Sequence, residues 1–70
     1  MPGTKLLDTA QQVCAEMRTQ YASYGKKVEV SVDEHDGTPK VYIHITRPTK
    51  SIPHLHFRHQ GIVVNIVVTR

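Results

Sequence analysis

The stretch SIPHLHFRHQG, residues 51–61, sets His54, His56, Arg58 and His59 within six positions of a 70-residue chain that carries five histidines in all. Neutral imidazoles ligate transition metals, imidazoles near pH 6.5 exchange protons, and imidazoles beside a guanidinium attract anions. His54 and His56, two apart on a strand, would point the same way, and His44 on a neighbouring strand would complete a three-histidine zinc site with an open position. No Asp or Glu follows Asp36, however, to orient those imidazoles or to act as a base. The residues therefore assign no metal and no cofactor. No nucleophile is paired with a base and an orienting group, and four scattered glycines make no phosphate loop, so the chain reads as a binding protein rather than an enzyme.

The charge layout favours an anionic partner. Residues 1–36 carry four Lys and Arg side chains against six carboxylates, a net −2, whereas residues 37–70 carry Lys40, Arg47, Lys50, Arg58 and Arg70 and no carboxylate, a net +5. A basic, acid-free half attracts nucleic acid or an acidic protein face.

Two stretches resemble catalytic motifs. Pro53-His54-Leu55-His56 resembles the metal-binding strand of relaxases and replication initiators, and Tyr24-Gly25-Lys26-Lys27 is similar to the Tyr-x-x-Lys of the initiators' nucleophile helix. That resemblance implies His54 and His56 as ligands of a metal that polarises a phosphate, with Tyr24 as nucleophile. It covers eight residues, in a chain too short for the five-stranded core of those families. His44-Ile45-Thr46 resembles one His-x-Thr motif of the two-histidine phosphoesterases, but the second copy would fall on His54-Leu55-His56, which lacks the hydroxyl. The chain is assigned to neither family.

The elements that must position these groups follow from periodicity. Leu6, Ala10, Val13, Cys14, Met17, Tyr21 and Tyr24 recur every three or four residues, which predicts one helix over about residues 5–23, capped by Thr4, with Asp8 near the positive end of its dipole and Gly25 stopping it. The period then becomes two. Val28, Val30 and Val32 predict one strand, and Val41, Ile43 and Ile45 a second, with Asp36-Gly37 in the loop between them. After two prolines, a short strand at 54–58 is expected to form a hairpin with 62–69 through the turn His59-Gln60-Gly61.

The expected fold is thus a single small α+β domain: one N-terminal helix on a three- to four-stranded antiparallel sheet, as an α-β-β-β-β meander over residues 1–70. Cys14 on the apolar helix face reads as a buried thiol, and a lone cysteine with no apolar leader places the chain in a cytoplasm. No apolar run is long enough to span a membrane. Leu55 and Phe57 are expected to pack under the helix. Partner contacts are expected from Tyr42, His44, Arg47, Lys50, His54, His56, Arg58 and His59, with nucleic acid as the partner. The alternative is an acidic protein surface, met by a small inhibitor or adaptor of the kind that phages and mobile elements encode. Val63 and Val67 project opposite Ile62, Val64, Ile66 and Val68, and one helix cannot bury both sets, so a homodimer through 62–69 is expected, edge to edge or face to face.

Overall fold

The change of hydrophobic period near Gly25 divides the chain into one helix and one sheet. The computed structural model describes residues 2–70, and side chains from Leu6 onward. Helix α1 spans Pro2–Gln20, strand β1 Gly25–His35, β2 Thr38–Pro48, β3 His56–His59 and β4 Ile62–Thr69. The fold is α+β, with the helix laid on one face of a four-stranded sheet.

The sheet is mixed rather than an antiparallel meander. Its order is β1-β2-β4-β3, with β1 against β2 and β3 against β4 antiparallel, and β2 against β4 parallel. The last strand has turned inward between its predecessors. The reason is physical: Ile62–Thr69 is apolar on nearly both sides and carries neither charge nor proline, so it is safest where both backbone edges are hydrogen-bonded. The edges go to strands that tolerate water. β1 shows Lys26, Lys27, Glu29, Asp33 and Glu34, all exposed, and β3 is only four residues long. β4 is paired with β2 from Val63 to Thr69 and with β3 from Ile62 to Asn65, so an edge-to-edge contact through 62–69 has only the short β3 side of its last residues to use.

Both hairpins turn in two residues. Asp36 and Gly37 have φ of 53° and 74°, and Gln60 and Gly61 have 53° and 79°, the doubly left-handed pattern that matches the twist of antiparallel strands. β1 therefore runs on to His35, β3 starts at His56 rather than His54, and His59 belongs to the strand instead of the turn.

The helix begins and ends earlier than its periodicity implies. It starts at Pro2, which leaves Asp8 beyond the first turn, where no acidic residue lies. Thr4 falls inside the helix rather than at its cap, and its side chain lies outside the described residues. Tyr21 and Tyr24 leave the helix but keep their packing: the Tyr21 amide donates to the Met17 carbonyl at 2.9 Å, and the two rings meet at a 53° tilt with centroids 4.6 Å apart. Gly25 is not a left-handed stop. It opens β1 where a Cβ would meet Ile45 Cγ2 at 2.5 Å and the Thr46 carbonyl oxygen at 2.9 Å.

Ala10, Val13, Cys14, Met17 and Tyr21 bury against Val30, Val41, Ile43, Ile45, Ile62, Val64 and Ile66, one core cluster among the described residues. Each buried Val or Ile side chain contributes about 1.5–3 kcal/mol. Leu6, 48% exposed, and Leu55, 53% exposed, stand outside it, while Phe57 is half-buried against it. Leu55 therefore does not pack under the helix as its alternation with Phe57 implies, because it precedes β3 and lies in the connection rather than the pleat. Arg18 secures the free side of β1, with Nη2 donating to the Val30 carbonyl at 3.4 Å.

Two consequences are measurable. Gly25→Ala should lower unfolding free energy by about 1–3 kcal/mol in urea titrations, since the β2 backbone cannot retreat from the added methyl. Burial raises the Tyr21 phenol above its ordinary 10.0, and the nearby Tyr24 adds to the rise. The folded state then holds that proton more tightly than the unfolded chain, so the contribution is complete below pH 10 and is lost as pH rises through the folded value. Between about pH 8 and pH 11, wild type should lose more stability than Tyr21→Phe, as compared by urea midpoints.

Candidate functional site

With the helix on one side, the other sheet face is uncovered, and the register sets its side chains in rungs. Asp33, Lys40, Val63 and Arg58 form one rung across β1, β2, β4 and β3; Ser31, Tyr42, Asn65 and His56 form the next. Glu29, His44 and Val67 follow, then Lys27, Thr46 and Thr69. These positions share a face because alternate strand residues point the same way, and the core occupies the other parity. Tyr42, Thr46, Val63 and Asn65 are half-buried among their neighbours, while His44, His56, Arg58 and Val67 are exposed.

The imidazoles on this face are held. His56 Nδ1 is hydrogen-bonded to the Asn65 side-chain oxygen, and His44 Nε2 lies 2.7 Å from Thr69 Oγ1. An imidazole fixed by a neighbour offers a flat ring in a set orientation, as Tyr42 does one strand pair away. Charge is graded across the sheet. On β1, Glu29 pairs with Lys27 at 3.0 Å and Asp33 faces Lys40 in register, whereas on β3 Arg58 has no carboxylate partner among the described residues.

The eight residues singled out from the sequence therefore fall in three places. Tyr42, His44, His56 and Arg58 share the open face. His59 has the opposite parity and meets the helix, its Nε2 2.8 Å from Glu16 Oε2, with Gln60 donating to the other carboxylate oxygen at 3.5 Å. His54 precedes β3 and, with Met17, Gln20, Tyr21, Pro53, Phe57 and His59, lines a hollow of about 300 Å³ on the helix side. His54 and His56 thus do not form a same-facing strand pair. Among the described residues, no group of three or more His, Cys, Asp or Glu side chains is placed to share a metal ion.

Arg47 and Lys50 lie at a third place, the sheet end where β2 and β4 finish. With Pro48, Thr49 and Arg70 they line a depression of about 470 Å³. Arg70 was not among the residues marked by the sequence, because only parallel pairing of β2 with β4 brings it beside Arg47. Thr69, which holds His44, was missed for the same reason, whereas Asn65 faces His56 within the β3–β4 hairpin and was missed because the register of that hairpin follows from its two-residue turn at Gln60-Gly61.

No family model, curated protein or solved structure matches the chain. No described helix is long and apolar enough to cross a membrane. The case for function rests on the residues themselves.

Proposed function

We propose that the protein is a small, non-enzymatic binding protein that lays single-stranded nucleic acid across its open sheet face. The observation that carries this reading is the rung Tyr42, Asn65 and His56, bordered by Lys40 and Arg58 on the adjacent rung. A tyrosine ring and a fixed imidazole on an uncovered sheet are surfaces on which unpaired bases stack, as sheet-based single-strand binders use them. Arg58 and Lys40 supply the phosphate contacts, and Asn65 has an amide for a base edge. The buried Cys14 thiol is in keeping with a reducing cytoplasm.

A second reading is supported by the gradation of charge. A two-fold axis parallel to the strands would set β1, with Glu29 and Asp33, over the partner copy's β3, with His56 and Arg58, and β2 over β4. This is the face-to-face form of the expected homodimer. It covers the same residues, so the two readings compete for one surface.

The test is a fluorescence titration with an unstructured oligonucleotide at about 50 mM salt and above. Two to four phosphate contacts to a single strand give a log K against log salt slope of about −1.5 to −3. Tyr42→Ala should weaken binding by about 5- to 100-fold, the worth of one base stack, and Arg58→Ala should flatten the salt slope by about 0.7, both with an unchanged circular dichroism spectrum. Absence of binding, together with twice the chain mass by sedimentation equilibrium that Arg58→Glu reduces to one, would award the face to the second copy.

A further inference from the structure

Parallel pairing has an electrostatic consequence at the end of the sheet. Thr46 and Thr69 form the last β2–β4 rung, so the residues that follow, Arg47 near the end of β2 and Arg70 just past β4, lie on neighbouring strands about 4.8 Å apart. Lys50 joins them around the same depression. No carboxylate pairs with any of the three among the described residues. Like charges on neighbouring strands repel, and a fold that gathers three of them with no Asp or Glu side chain paired to them among the described residues favours an anion there.

The site is also built rather than merely crowded. Lys50 Nζ donates to Ser23 Oγ at 3.1 Å and lies 5.2 Å from the centre of the Tyr24 ring. The adjoining Thr49 is clamped twice, its amide donating to the Tyr24 carbonyl at 2.9 Å and its hydroxyl to the Ser23 carbonyl at 2.9 Å. Arg47 itself has φ of 51°. Left-handed backbone is costly for a long side chain, and costlier immediately before a proline, which pushes the preceding residue toward extended conformations. Strain of this kind persists where the surroundings impose it, and it concentrates at binding sites.

We infer that Arg47, Lys50 and Arg70 form a site for a phosphate monoester dianion, the terminal phosphate of a bound strand. The source of the phosphate rests on the reading of the open face as a single-strand platform; the site lies directly past that face's last rung. A terminal monoester carries close to two negative charges at neutral pH, whereas each internal phosphodiester carries one, so three converging cations prefer the end of a strand to its middle. Two guanidiniums add forked donors suited to phosphate oxygens, and the ammonium adds a point charge.

The experiment compares one short oligonucleotide in three forms, 5′-phosphorylated, 3′-phosphorylated and hydroxyl-ended, with a nucleoside monophosphate as the small probe. Binding is followed by titration and by the arginine side-chain signals in NMR. One phosphorylated form should bind about tenfold more tightly than the hydroxyl-ended strand, and Arg70→Gln should abolish that preference while leaving hydroxyl-ended binding largely intact. Arg47→Gly separates binding from folding: glycine accepts the positive φ, so the melting temperature should rise while the preference disappears. Equal affinity of the three strands would overturn the site and leave the open-face reading standing. If no strand binds but the monophosphate shifts the Arg47 and Arg70 signals, the site stands and the open-face reading falls. Silence from every ligand overturns both.

Discussion

The hydrogen bonds between β2 and β4 run parallel, from Lys40 beside Val63 to Thr46 beside Thr69, and the remaining architecture depends on them. Parallel neighbours cannot be joined by a tight turn. The chain must leave β2 at Pro48, pass the end of β4, lay down β3 at the far edge and return through Gln60-Gly61 to fill the gap. That excursion carries most of the histidine-rich segment, and so it separates residues adjacent in sequence. His54 goes to the helix side, His56 and Arg58 to the open face, and His59 to the carboxylate of Glu16.

A single helix imposes the second constraint. Its buried stripe from Ala10 to Met17 covers the Val and Ile side chains of one sheet face, leaving the opposite face for water or a partner. Evidence that β3 is held to the helix side comes from Phe57 and Ile52 packing on the core and from the His59–Glu16 pair, whose partners are 37% and 49% exposed. A polar contact so open to solvent contributes at most about 1 kcal/mol, so apolar packing sets the position of β3. The open face can then be polar without loss to the core, because its residues occupy the other strand parity.

Charge acquires direction through the same topology. The six carboxylates all precede Gly37, and in three dimensions they lie on α1, on β1 and at the tip of the first hairpin. The acid-free half forms β2, β4, β3 and their connection. A basic region therefore extends from Arg58 at one edge of the sheet to the Arg47, Lys50 and Arg70 depression at its end, with Tyr42 and His56 between. Diffuse sequence charge becomes an oriented surface.

How much of this was legible in the sequence follows from which forces are local. The three- and four-residue recurrence of Ala10, Val13, Cys14 and Met17, the alternation of Val28 to Val32 and of Val41 to Ile45, and the Asp36-Gly37 turn are properties of neighbouring residues, so the helix, the long hairpin and the residues of the core could be read directly. The α+β class and the uncovered face followed from them. Strand order could not, because a meander and an inserted strand use the same local pattern and differ only in which backbone edges pair. What decided it was tertiary: Ile62–Thr69, apolar on nearly both sides, gains most when placed between two strands, and only that central placement brings Arg70 beside Arg47 and Thr69 within reach of His44.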